Sequence, residues 1–558
     1  MANRIQSEDY IEFLVPNSLL EPYEIVENVI PINYEYSIVT GESKDLDKCS
    51  IGKYYYSSFP TCYTLSSTVS IEETGVSKVQ NHPNLELYGS GTLIGFIDTG
   101  IQYTHKAFKN PDGTSRIISL WDQTLESEEP SADFPYGIIY SQEELNEALK
   151  QENPLREVPS TDEDGHGTTI AGIAAGSIDR QENFIGVAPL SELIVVKLKP
   201  AKNIIKDIFS IPKEKICYQE SDIMMGVKYI LSVASRLKRP LVICIALGSN
   251  QAGHDGLGAL NSFLSYVARN PRYAVVVAAG NEGHTQRHFS SNIETTDDFK
   301  DFELKVGEKD KMFSMEIWQH ALQRLSIEIT APTGEKILTT LPGIKECKKQ
   351  TFVLEPSVVW LNNIVTETDS GDQLILIRFE NLKSGVWKFR LNNIDHTFSQ
   401  FNAWLPNGDL ISEATYFLGS NPNITITTPG DTPSAITICA YDTSHGGETN
   451  FSSRGYTRSD IVKPDLAAPG TKIMGPSNIG NNYASATGTG VAAAFTTGIV
   501  SMIFEWAIVK GNYTDITGGE IKSLLIRGAK RESELQYPNN VWGYGKVDVY
   551  GVFEKLSS

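Results

Sequence analysis

Tyr483-Ala-Ser-Ala-Thr-Gly-Thr-Gly-Val-Ala-Ala-Ala-Phe-Thr-Thr-Gly-Ile-Val-Ser-Met502 is the stretch from which the rest of the chain is read. Gly488-Thr489-Gly490 forms a tight turn in which glycine avoids the Cβ penalty. It opens a run of small side chains, Val491 to Ala494, that stays apolar through Ile499, Met502, Ile503 and Trp506. Small residues let a helix lie close against other backbone. The run therefore predicts a helix starting at this turn and buried on nearly every side.

Upstream, Gly91-Thr-Leu-Ile-Gly-Phe-Ile-Asp-Thr-Gly-Ile101 has an apolar centre that predicts a buried parallel strand. It ends in Asp98 and a glycine turn, which puts a carboxylate at the carboxyl edge of the sheet, where chemistry gathers in open α/β folds. Asp162-Glu-Asp-Gly-His-Gly-Thr-Thr-Ile-Ala-Gly-Ile-Ala-Ala-Gly176 sets His166 between two glycines at the start of a second small-residue helix. Taken singly, Asp98 reads as a turn cap and His166 as a structural histidine. Further buried strands are predicted at Glu192–Leu198, Pro240–Leu247 and Pro271–Ala279, the last ending in Ala279-Gly-Asn-Glu-Gly283, with an amphipathic helix over Ser221–Lys238. Strands alternating with helices predict a parallel sheet with right-handed crossovers.

From 290 to 427 the texture changes to short alternating segments such as Leu325-Ser-Ile-Glu-Ile-Thr330 and Val386-Trp-Lys-Phe-Arg-Leu391, separated by turn residues. Period-2 strands at this spacing predict an antiparallel sandwich inserted into the α/β domain. Residues 1–67 read as a small α+β unit with strands at Tyr10–Val15, Tyr34–Val39 and Tyr54–Tyr56, followed by a surface helix over Ile71–Gln80. The resulting division is 1–67, 68–289, 290–427 and 428–558.

A formal net charge of -20 disfavours a nucleic-acid partner held by phosphate contacts and an acidic membrane surface. The six cysteines, Cys49, Cys62, Cys217, Cys244, Cys347 and Cys439, are far apart. They imply neither a metal site nor a disulfide framework, and Cys244 reads as a core residue. No calcium-loop signature is present, so neither a metal nor a cofactor is expected. The N-terminus lacks an apolar signal region, and no apolar run reaches the roughly 20 residues that span a bilayer, so the expectation is a soluble product.

These blocks, Asp98, His166-Gly-Thr, Ala279-Gly-Asn281, Asp465-Leu-Ala-Ala-Pro-Gly470 and Gly488-Thr489, resemble the subtilisin-like (S8) serine peptidases in kind and in order. The resemblance implies Asp98 as the residue that orients histidine, His166 as base, Asn281 as oxyanion donor and position 490 as nucleophile. It also implies that residues 1–67 are a propeptide whose tail lies in the cleft. The inserted sandwich, the segment Asn84–Ile101 and the missing signal region are similar to the clostridial Csp spore-germination subtilases. Those carry a jelly-roll insertion, act on the zymogen of a cortex-lytic hydrolase and include inactive members. The expected partners are thus an active Csp-type protease or that zymogen, with a small-molecule germinant possible, and the expected location is the spore.

Residue 490 decides between two functions. A serine hydroxyl needs a histidine to take its proton, a carboxylate to orient that histidine and an oxyanion site to meet developing charge. Gly490 offers no oxygen. Thr489 points away from the histidine on this reading, and Ser485 precedes the turn. The first reading is a pseudoprotease that regulates an active relative. The alternative is an active endopeptidase cutting the zymogen, with its nucleophile mutated or unrecognised.

Overall fold

Eight strands build the central sheet of this computed structural model, which describes residues 4–20, 28–44, 46–65, 74–128, 131, 133–321, 323–343 and 347–557. Their order across the sheet is Leu466–Pro469, Ile436–Tyr441, Tyr273–Ala278, Leu241–Ile245, Leu93–Asp98, Glu192–Lys197, Ile117–Asp122 and Ile138–Ser141. All pairs are parallel except the last. Valine, isoleucine and leucine dominate the central strands because both faces are covered, and Leu241–Ile245 is buried at every position.

The helix predicted from the opening stretch spans Thr489–Phe504, and all its residues are buried. Its small side chains act as expected. A Cβ on Gly498 would come within 2.7 Å of the Ala174 carbonyl oxygen and 2.5 Å of Val187. With its continuation to Val509 it is 21 residues long and by mean hydropathy apolar enough to cross a membrane, although Thr496, Thr497, Ser501 and Glu505 interrupt the apolar run. Its most apolar window is 89% buried inside the fold, so the length serves the core. The helix predicted at 221–238 runs Glu220–Leu237 and stops where Lys238 turns left-handed, at φ 54°.

Two antiparallel sheets of six and five strands form the insertion, from His288–Ile293 to Tyr416–Leu418. They share one core, in which Phe289 and Phe401 of the first sheet meet Phe302, Phe389 and Phe417 of the second. Alternation follows from this packing: in Phe299–Val306 the residues Phe302, Leu304 and Val306 point inward and their neighbours outward.

The N-terminal unit departs from its reading at two places. Tyr54–Tyr56 is not a strand: a short helix at Ser50–Lys53 and a 3-10 turn at Tyr56–Ser58 occupy the region. The reason is an anchor, because the Tyr56 hydroxyl is drawn inward and donates to Glu316 at 2.7 Å. The strand lies instead at Cys62–Leu65 and leaves its own unit to pair antiparallel with Tyr218–Gln219 on one side and Leu247–Gly248 on the other. Of the helix expected over 71–80, Val76–Gln80 is helical and 71–73 lie outside the described residues.

The cysteine pattern implied no disulfide framework, and one bond is nevertheless formed. Cys49 and Cys347 are bonded across a sequence separation of 298, joining the N-terminal unit to the insertion. Spacing could not reveal a pair whose members sit in different units. Beside it, the fully buried Arg378 donates to the carbonyls of Lys48 and Ile208 and to the Asn362 side chain. Burial lowers its pKa to about 9. One apolar cluster draws Ile51, Tyr56 and Phe59 from the N-terminal unit, Ile205 and Phe209 from the α/β body, and Trp318 and Trp404 from the insertion.

Candidate active site

Asp98 is the last residue of the central strand Leu93–Asp98, and His166 is the first of the helix His166–Ala175. The helix begins beside the strand end because residue 167 has no side chain. A Cβ on Gly167 would meet the Gly100 carbonyl oxygen at 2.2 Å and the Asp98 side chain at 3.1 Å. This approach brings His166 Nδ1 and Asp98 Oδ1 to 2.7 Å, with both side chains almost wholly buried. The remaining Asp98 contact fixes its rotamer, since the Thr99 backbone N–H donates to the same oxygen at 2.7 Å.

A second carboxylate, which the sequence reading passed over, holds this arrangement. Asp162 accepts from the backbone N–H of Gly165 (2.9 Å) and Thr168 (2.8 Å), from the Thr168 hydroxyl (2.6 Å) and from the Thr99 hydroxyl (2.7 Å). The Thr99 hydroxyl in turn accepts from Gly167 N–H at 2.9 Å. Asp162 thus satisfies the donors at the helix start and ties them to the end of the Asp98 strand. An acidic residue a few positions before a helix was the available signal.

Asn281 meets the helix Thr489–Phe504 at its first residue. Its side-chain oxygen accepts from Thr489 N–H at 3.0 Å and from the Thr489 hydroxyl at 3.1 Å. That hydroxyl accepts from Gly280 N–H at 3.0 Å. The amide is therefore oriented, with its oxygen held by the helix start and its NH₂ at the other end. Asn281 and Leu65, the last described residue of the Cys62–Leu65 strand, line the same cleft of about 440 Å³.

Gly490 follows as the second residue of the buried helix, in ordinary helical backbone rather than a left-handed conformation. Both neighbouring hydroxyls are placed elsewhere. Thr489 is committed to Asn281 and Gly280. Ser485 is exposed in the strand Tyr483–Ala486 and pairs with Met474. The geometry brings Asp98 to His166, and Asn281 to the residue before Gly490.

The Asp465 block plays a structural part. Asp465 is buried between Lys463 (2.7 Å) and Lys522 (2.6 Å) and accepts from Thr437 N–H at 2.8 Å. Burial pulls the Lys463 ammonium down to about 7, against the pull of Asp465.

Comparison with known proteins agrees with this architecture. The model of the subtilase family matches residues 89–306 and 407–545, more than half of the chain. The solved structure of the Clostridium perfringens CspB protease superposes with a TM-score of 0.77, at 29% identity over 87% of this chain and 96% of that one. The C5a peptidase of Streptococcus pyogenes is 22% identical over 82% of this chain. The chain spans 39% of the length of that relative. The subtilisin-like protease PopC of Myxococcus xanthus is 23% identical over 50% of the chain and 48% of its own length.

Proposed function

The chain belongs to the subtilase family, and on that premise we propose that it is a pseudoprotease that regulates an active relative rather than cutting. The observation that carries this reading is Gly490: the Asp98–His166 pair and the Asn281 amide are arranged for serine chemistry, and the nucleophile position has no oxygen. In subtilisin, loss of the nucleophile lowers kcat by roughly 10⁶.

Likeness to the CspB protease supports a place in spore germination. On this reading the protein signals to an active Csp-type protease that processes a cortex-hydrolase zymogen. The docked N-terminal unit suits such a role. Its Cys62–Leu65 strand occupies the cleft between Tyr218–Gln219 and Leu247–Gly248, where a substrate strand would pair. Asn407 locks it there by donating to the Thr64 hydroxyl at 2.7 Å and to the Gly248 carbonyl at 2.8 Å. Binding surfaces survive the loss of the nucleophile even when the cleft is filled.

The test is the intact mass of purified full-length protein, together with complementation of a deletion strain by a His166→Ala allele. An uncut chain and normal germination with that allele are expected. A clean cut near Leu65 without added protease, or a germination defect at normal protein level, would restore the catalytic reading.

A further inference from the structure

Where the N-terminal unit, the α/β body and the insertion meet, a small pocket of about 40 Å³ opens between them. Its walls combine aromatic faces with carboxylates: Tyr56, Phe59 and Tyr63 from the N-terminal unit, Trp318 from the insertion, and acids from both remaining units. No lysine or arginine lines it among the described residues. We propose that this pocket binds a small organic ammonium ion, held by Glu367 and Asn261 within the aromatic wall and admitted past Asp369.

Two hydrogen-bond acceptors carry the proposal. Glu367 is 4% exposed, and its Oε2 accepts from the backbone N–H of Asp369 and Ser370 and from the Ser370 hydroxyl. Its Oε1 is buried and has no hydrogen-bond partner among the described residues. Asn261 is 1% exposed, and its amide nitrogen donates to Asp431 at 3.0 Å, which fixes the orientation of the group. Its Oδ1 is likewise buried without a partner among the described residues. A buried acceptor left without a donor is costly, more so when charged. Both residues line the pocket, and both ask for a donor.

The surrounding charge selects the kind of donor. Glu220, Asp255, Glu367 and Asp369 contribute four carboxyl groups to the walls. Glu316 lies just behind them, bonded to Tyr56 and Trp318. The nearby cation Arg458 is spent on Asp255 (2.6 Å) and Asp372 (2.5 Å). Burial raises the pKa of Glu220.

An ammonium supplies several donors and a positive charge, and aromatic faces attract it further. A water needs about 10–15 Å³ by this measure of volume, so the pocket has room for about three heavy atoms. A divalent metal suits it less, since no three acidic, cysteine or histidine groups among the described residues are placed to hold one. An anion would bring further acceptors to two groups that already lack donors, so it suits the pocket less. The site exists only while the N-terminal unit stays docked, and it is independent of whether residue 490 can cut.

The test titrates ethylammonium chloride into the full-length protein by calorimetry at constant ionic strength, with ethanol, sodium acetate and calcium chloride as comparisons. Ethylammonium should bind, and the other three should not. Glu367→Gln keeps an oxygen for the Ser370 donors and removes the charge, and Asp369→Asn changes only the mouth. Each should weaken binding about tenfold or more while the melting temperature without ligand stays near wild type. Absence of ethylammonium binding to the wild type, equal binding by both folded variants, or tighter binding of calcium or acetate would each overturn the proposal.

Discussion

Gly490→Ser puts back the one atom that the site lacks. Serine at the second position of the Thr489–Phe504 helix meets ordinary helical backbone, and exchanging glycine for serine in a helix gains roughly 0.5 kcal/mol. At this buried position the gain is offset by desolvating the hydroxyl, so stability should stay near that of wild type. On the proposed reading the groups that would activate a hydroxyl are His166, bonded to Asp98 at 2.7 Å, and Asn281, anchored on Thr489 at 3.0 Å. The scissile segment is also held, because Leu65 lines the cleft beside Asn281, and an intramolecular reaction gains an effective concentration of 10⁵ M or more, on the order of 7 kcal/mol. We expect self-cleavage even if activity on added peptides stays undetectable. At 61.5 kDa for 558 residues, a cut next to Leu65 gives pieces of about 54 and 7 kDa. The structure adds a second readout. Cys49 lies in the small piece and Cys347 in the large one, so the two bands separate only under reducing conditions. Without reductant the cut protein should migrate as one species. The comparison is Gly490→Ser beside wild type and Gly490→Ser/His166→Ala, on reducing and non-reducing gels. If the folded single variant stays whole under reducing conditions, or the double variant is cut equally, the inferred arrangement of His166, Asn281 and residue 490 is wrong.

Other perturbations test the supports of that arrangement. Asp162→Ala should cost about 1–2 kcal/mol in thermal unfolding through the lost helix cap, and should slow self-cleavage in the Gly490→Ser background by loosening His166. Cys49→Ser/Cys347→Ser opens a loop of about 300 residues and should lower stability by up to about 5 kcal/mol, read as the urea midpoint. Arg378→Met leaves two buried carbonyls and Asn362 without their donor and should cost about 3–5 kcal/mol in the same assay. Burial pushes the Glu316 carboxyl from 4.5 up to about 7 despite the donors Tyr56, Trp318 and Ala252. Its contribution to stability is therefore full below pH 4.5 and is lost as pH rises through 7, by about 3 kcal/mol. Glu316→Gln should flatten that part of the profile in unfolding curves between pH 4.5 and 8, and an unchanged slope would show that the carboxylate is better solvated than its burial implies.

The central sheet, the two small-residue helices and the positions of Asp98, His166, Asn281 and Gly490 were legible because each is announced by a local pattern. An apolar run ends in a polar turn, or glycines flank a reactive side chain, within a dozen residues. The ends of the helix Glu220–Leu237 were readable to within a residue. What escaped depends on partners remote in sequence. Tyr54–Tyr56 has the composition of a strand, but a buried carboxylate 260 residues away claims Tyr56. Cys49 and Cys347 carry no motif, and Cys62–Leu65 looks like any short apolar run until two edges of the body enclose it. Asp162 was in view, and its capping role was obscured by the more conspicuous histidine four residues on.

The cluster shared by the three units also sets a timetable for biosynthesis. Ile51, Tyr56 and Phe59 leave the ribosome long before Trp318 and Trp404, which cover them in the finished fold. At about 5–20 residues per second, the 260 residues between Tyr56 and Glu316 take roughly 10–50 s to synthesise. For that interval the nascent N-terminal unit carries an uncovered apolar face next to a half-made sheet. The unit that finally closes the cleft is thus made first and seated late. Conditions that stall translation between the two halves should yield aggregates rich in the N-terminal segment.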